Sequence, residues 1–223
     1  RMLVAHHLKA KFQWTSASGM GKLVKEAVTN NNIDQRNIFA AGISNGGFMC
    51  QRLAVEASDI FAAVVSVAAS LQERWKDTKP TGKISIMLIN GTADPLVPYN
   101  GGTVSIKFPL LGITLKRGKI ISTDQTIEYW LKNNDLKVTP VIANLKDLDP
   151  KDGCHAVRYD WQTQALRPKV VLIKVINGGH TWPGKKRNLS KRRVSKICQD
   201  FDASETIWLF FGSLINKSKA TDK

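Results

Sequence analysis

Apolar positions along the chain follow two alternating rhythms. Met20, Leu23, Val24, Ala27 and Val28 recur at helical spacing and predict a helix with one buried face. Ser16 or Ser18 would cap it, and Asn30, Asn31 and Asn32 would end it. Residues 37–43 (NIFAAGI) form a short apolar run that reads as a buried strand. Helical spacing returns over residues 45–57. Two more apolar runs follow, residues 62–69 (AAVVSVAA) and 84–90 (ISIMLIN), then a helix over 124–134 with Ile127, Trp130 and Leu131 inward. Residues 154–161 alternate like a strand, and residues 170–176 (VVLIKVI) form another apolar one. A last helix spans 202–214, opened by Asp202-Ala203-Ser204-Glu205 in the form of a capping box. Strands and helices in this alternation predict an α/β fold, a mostly parallel sheet flanked by helices. The stretch from Tyr99 to Ile121 is broken by Gly101, Gly102, Pro109, Gly112 and Gly118. It reads as an excursion over the site.

Length and charge narrow the picture. At 223 residues the chain fits a single domain, residues 1–223, with a substantial core. No apolar run reaches the roughly 18 residues that a membrane span needs. The net charge of +15 suggests an anionic neighbour. Residues 185–196 (KKRNLSKRRVSK) concentrate seven Lys or Arg without an acid, among them Lys185, Lys186, Arg187, Lys191, Arg192 and Arg193. No aromatic residue interleaves them, as a single-strand nucleic-acid surface would need, so the stretch reads as a solvated loop able to touch an anionic surface. Three cysteines, Cys50, Cys154 and Cys198, show no metal-ligand spacing, and an odd count excludes a fully paired framework within the chain. One disulfide and three free thiols are both compatible with that count.

Candidate chemistry centres on Gly42-Ile43-Ser44-Asn45-Gly46, which matches the G-x-S-x-G nucleophile elbow. There a serine sits on a sharp strand-to-helix turn, and small neighbours let backbone approach it. The following helix would aim its N-terminus at the site, with the Asn45 N–H as one oxyanion-hole donor. A serine nucleophile needs a base, and the base an orienting carboxylate, in the chain order Ser, acid, His for this fold. His6 and His7 precede the serine, and His155 heads a strand, where a structural role fits better. His180 follows the 170–176 strand and Gly178-Gly179, in a loop at a strand end. Asp94 stands in the matching place after the 84–90 strand, past Gly91-Thr92-Ala93.

At these residues the sequence resembles the poly(3-hydroxybutyrate) depolymerase-like esterases, a group that includes feruloyl and acetyl-xylan esterases. Four blocks carry the resemblance, which extends from about Gln13 to Phe211. The first runs from Ile33-Asp34-Gln35-Arg36-Asn37-Ile38 into Ala41-Gly42-Ile43-Ser44-Asn45-Gly46-Gly47-Phe48-Met49. The second is Asn90-Gly91-Thr92-Ala93-Asp94-Pro95-Leu96-Val97-Pro98-Tyr99. The third, the most specific, is Gly178-Gly179-His180-Thr181-Trp182-Pro183-Gly184. The fourth begins at Asp200-Phe201-Asp202-Ala203-Ser204-Glu205 and includes Ile207-Trp208 and Phe210-Phe211. The resemblance implies an α/β-hydrolase that cleaves carboxylic esters through an acyl-serine without a cofactor, with Ser44, Asp94 and His180 as its triad. It also implies export, to the periplasm or outside the cell. Trp182, Tyr99 and Asn100 would line the substrate pocket.

Two departures qualify the resemblance. Members begin with earlier strands and a His-Gly loop that supplies a second oxyanion donor, whereas 43 residues precede Ser44 here and show no such loop. The expectation is a hydrolase domain lacking its usual N-terminal strands. Asn133-Asn134-Asp135 also offers no cysteine where members often carry one, so Cys154 would lack that partner. Two functions are therefore weighed. One is a serine esterase acting on hydroxyalkanoate oligomers or on feruloyl or acetyl esters. The other is a catalytically impaired hydrolase-fold module that binds an anionic polymer or surface through the basic loop.

Overall fold

The computed structural model describes residues 17–31, 33–108, 113–165, 167–184 and 196–215. The elements in chain order are α1 (Ala17–Asn30), β1 (Phe39–Ile43), α2 (Asn45–Glu56), β2 (Ala63–Val67), β3 (Ser85–Gly91), β4 (Gly102–Phe108), β5 (Ile113–Ile120), α3 (Thr123–Asn134), β6 (Val141–Asn144), β7 (His155–Trp161), β8 (Val170–Ile176) and α4 (Ala203–Gly212). Six strands form one sheet in the order β1-β2-β3-β8-β7-β6. β1, β2, β3 and β8 are parallel, and β7 and β6 add antiparallel to them.

The sheet is the middle layer of three. Side chains alternate across a strand, so neighbours in sequence enter different cores. Val64, Ile86, Leu88 and Leu172 face Val24 of α1, Leu53 of α2, and Ile127 and Trp130 of α3. Val65, Met87, Ile89, Val171 and Ile173 face Ile207, Phe210 and Phe211 of α4. Strands buried on both faces are continuous apolar runs, which is why β2, β3 and β8 were legible. Phe39 of β1 stacks on Phe211 with ring centroids 4.6 Å apart. No described helix is long and apolar enough to cross a membrane.

Several expectations shift. Residues 35–37 form a 3-10 turn rather than the start of the strand, because the Asp34 side chain accepts from Arg36 N–H and bends the chain there. Ser18 lies within α1, and Ser16 falls outside the described residues. The glycine-punctuated stretch after Tyr99 contains a two-stranded antiparallel ribbon, β4 and β5. Its base buries Val104 and Ile120 with Val97 and packs on Phe48 of α2 and on Leu96. The short edge strand β6 was not foreseen: all four of its residues are exposed, so no apolar alternation marks it. All three cysteines are buried free thiols, and burial pushes each up to about 12. The basic stretch bearing Lys185, Lys186, Arg187, Lys191, Arg192 and Arg193 lies outside the described residues, as do His6 and His7. Among the described residues no strand precedes β1, which borders the sheet on that side.

Candidate active site

The parallel strands end together. Register pairs Ile43 with Val67, Val67 with Ile89, and Gly91 with Val175. Ser44 follows β1, Asp94 follows β3 and His180 follows β8. All three therefore leave the sheet at the carboxyl edge of its parallel strands, where open α/β sheets place their ligand crevices.

Ser44 occupies the N-cap position of α2, yet its side chain makes no capping hydrogen bond. Its backbone has φ 56° and ψ −118°, outside the extended conformation of an ordinary cap. Two hydrogen bonds hold this turn: Ser44 N–H donates to Val67 O at 2.9 Å, and Phe48 N–H donates to Ser44 O at 2.9 Å. Sterics explain the glycine two residues upstream. A Cβ on Gly42 would meet backbone atoms of Gly46 at 2.5–2.8 Å. Gly46 itself has open space at its Cβ position, whereas a Cβ on Gly47 would come within 2.8 Å of Ala69 and 2.9 Å of Val67 O. Crowding thus falls on Gly42 and Gly47, and the second of these stands outside the five-residue motif. Asn45, the first residue of α2, is exposed, and its N–H lies at the helix's positive end.

Asp94 and His180 meet directly. His180 Nδ1 lies 2.7 Å from Asp94 Oδ2, and both side chains are almost completely buried. The other oxygen, Asp94 Oδ1, accepts from the N–H groups of Leu96 at 2.8 Å and Val97 at 2.9 Å. A carboxylate holding two backbone donors acts as an acceptor, so Nδ1 of His180 is the N–H and Nε2 keeps its lone pair. Among the described residues no hydrogen bond joins His180 Nε2 to Ser44 Oγ. Catalytic hydrogen bonds are often long without substrate and tighten when it binds.

The loops carrying the pair are tied to each other. Thr92 N–H donates to Val175 O, Ala93 N–H to Gly178 O and Asn177 N–H to Thr92 Oγ1, all at 2.9–3.0 Å. A Cβ on Gly91 would strike the Gly178 carbonyl. The two loops approach each other only because residue 91 has no side chain.

The residues expected to line a pocket divide. Asn100 is exposed. Tyr99 is buried, and its hydroxyl donates to Asp124 Oδ1 at 2.9 Å, so its one proton is already committed. Burial, helped by Asp124, raises the Tyr99 phenol well above its usual value. Trp182 packs against the α4 side of the sheet, and its indole N–H donates to Ser204 Oγ at 3.1 Å.

Behind this sheet edge lies a buried polar network that sequence reasoning missed. Asn90 donates from Nδ2 to Ser70 Oγ at 3.1 Å and to Thr123 Oγ1 at 3.0 Å, and its Oδ1 accepts from Ala69 N–H at 3.2 Å. Ser66 Oγ bonds to the carbonyls of Gly47 and Ala69 at 3.1 and 2.9 Å. These bonds join the ends of β2 and β3 to the first turns of α2 and α3. The available signal was a polar residue inside an apolar strand: Ser66 in AVVSVAA and Asn90 closing ISIMLIN.

The chain is 33% identical over 169 residues to NocK of Nocardia uniformis subsp. tsuyamanensis, an esterase by name, covering 73% of this chain and 47% of that protein. It is 26% identical over 160 residues to feruloyl esterase B of Piromyces equi, covering 70% of this chain and 27% of that protein. The fold matches an acetyl xylan esterase from Aspergillus awamori with a TM-score of 0.53 at 10% identity, over 88% of this chain and 67% of that one. The chain is similar in sequence to these two esterases, and it shares the α/β-hydrolase fold of the third. A model of the prolyl oligopeptidase family also matches residues 7–85, a stretch that contains Ser44 and stops short of Asp94 and His180. The chain spans less than half the length of each of these two curated relatives.

Proposed function

We propose that the chain hydrolyses carboxylic esters through an acyl intermediate on Ser44. The observation that carries this reading is the buried Asp94–His180 pair, 2.7 Å apart, on the same sheet edge as a serine whose hydroxyl makes no capping bond. His180 Nε2 removes the Ser44 proton as Oγ attacks the ester carbonyl. Asp94 holds the imidazole in the tautomer that leaves Nε2 free and stabilises the imidazolium that forms. The Asn45 N–H at the start of α2 donates to the developing oxyanion. His180 then protonates the departing alcohol and activates the water that releases the acid. None of these steps calls for a cofactor. Hydroxyalkanoate oligomers and feruloyl or acetyl esters are the proposed substrates, with Asn100 and Trp182 beside the acyl or alcohol group and Tyr99 supporting that wall through Asp124. An extracellular or periplasmic setting suits such polymeric esters.

The test is labelling of the purified chain with a fluorescent fluorophosphonate, beside its Ser44→Ala variant and turnover of p-nitrophenyl acetate. Labelling and turnover in the parent, both abolished in the variant, are expected. A folded parent that neither labels nor turns over the ester would overturn the reading. It would favour the alternative of a hydrolase-fold module that binds an anionic surface.

A further inference from the structure

Away from the catalytic edge, the turn before β7 and the segment before α4 bring two carboxylates and a thiol together. Asp152, Cys198 and Asp200 each present a ligand atom, and these atoms lie within 4.8 Å of one another. Three of the four carboxylate oxygens have backbone partners. Asp152 Oδ1 accepts from Cys154 N–H at 2.6 Å, Asp152 Oδ2 from Gln199 N–H at 2.7 Å, and Asp200 Oδ2 from Ala156 N–H at 2.8 Å. The fourth, Asp200 Oδ1, is buried without a hydrogen-bond partner, on a side chain with no exposed surface. A carboxylate oxygen buried in that state is costly unless something positive meets it. At the rim, His155 Nδ1 lies 3.8 Å from Asp200 Oδ2, and its 38% exposed side chain marks a path to solvent.

We propose that Asp152, Cys198 and Asp200 bind a divalent cation of the zinc class, with His155 at the rim beside Asp200. Thiolate sulfur with carboxylate oxygen suits zinc, whereas calcium and magnesium take oxygen alone. Bonds of roughly 2.0–2.3 Å require the ligand atoms to close in by about 1 Å. The Cys198 thiol releases its proton to solvent as the metal–sulfur bond forms. The site would staple the start of β7 to the segment that backs the His180 loop. Gly179 N–H donates to Lys196 O at 3.0 Å, and Gly184 N–H donates to Cys198 O at 2.9 Å. The metal is thus a brace behind the catalytic histidine, outside its chemistry.

The experiment strips the reduced full chain with a chelator, then titrates it with Zn²⁺ and, separately, with Co²⁺ as a spectroscopic probe. One ion per chain is expected, with a cobalt–thiolate charge-transfer band and a thermal midpoint several degrees higher when saturated. Cys198→Ser should remove the band, and Asp200→Asn should weaken binding at least tenfold. Absence of stoichiometric binding or of the thiolate band in the parent would overturn the proposal even if both variants misfold. Unchanged affinity in both variants, or a Cys154–Cys198 disulfide in the protein as isolated, would also overturn it. None of these readouts depends on esterase activity.

Discussion

Among the described residues two helices begin at a serine, and the two serines do opposite things. Ser122 opens α3 with φ −62° and ψ 162°, accepts from Gln125 N–H, and receives the Gln125 side chain on its own N–H, a complete capping box. Ser44 opens α2 with φ 56° and caps nothing. Ser122 follows a short extended connection from β5, so its backbone relaxes into the conformation a cap needs. Ser44 follows β1 without a spacer, and its N–H is held by Val67 O. The turn forces a conformation from which Oγ does not reach back to the helix N–H groups. A hydroxyl that would have stabilised a helix makes no bond to it. The local strain is supported by Gly42 and Gly47, by Ser66 and by both cores.

This contrast can be broken at several points. The largest effect is expected from Asp94→Asn, which keeps the shape but donates where Asp94 accepts, favouring the wrong imidazole tautomer. Ester turnover should fall by about 10⁴-fold with little change in the urea midpoint, as a triad acid would require. A loss under tenfold in steady-state kinetics would remove Asp94 from the triad. Gly42→Ala comes next. Its Cβ would press on the backbone of Gly46, so the elbow must shift. Overpacking of this kind costs about 1–3 kcal/mol, and fluorophosphonate labelling should be lost even where urea denaturation shows a folded variant. The smallest effect sharpens the comparison most. Ser122→Ala should cost about 1 kcal/mol in urea denaturation and leave turnover unchanged. Ser44→Ala should move stability by less than roughly 0.5 kcal/mol, since no cap is lost. Equal destabilisation by the two changes would show that Ser44 caps α2 after all.

Legibility followed burial. β2, β3 and β8 lie between two helical layers, so nearly all their residues are apolar and the strands stand out. β6 is exposed along its length, and its pairing comes from backbone bonds to β7, which leave no side-chain signature. The β4–β5 ribbon was hidden for a related reason. Its glycines read as breaks, yet Gly102 and Gly118 hold φ values of 112° and 108° that kink and twist the ribbon without ending it.

The sequence by itself determined the layered α/β architecture, because strand and helix periods are local properties of the chain. It also singled out Ser44, Asp94 and His180, because each follows an apolar run, Ser44 directly and the other two past a short turn, with glycine at residue 42 or 91 or at 178–179. Only the tertiary structure decided what those residues touch. It brought Nδ1 of His180 to Asp94 across 86 positions, committed the Tyr99 hydroxyl to Asp124, and tied Asn90 to Ser70 and Thr123. It also gathered Asp152, Cys198 and Asp200 from either side of β8. Contacts of that kind depend on the three-dimensional path of the chain, and no spacing rule along the sequence encodes them.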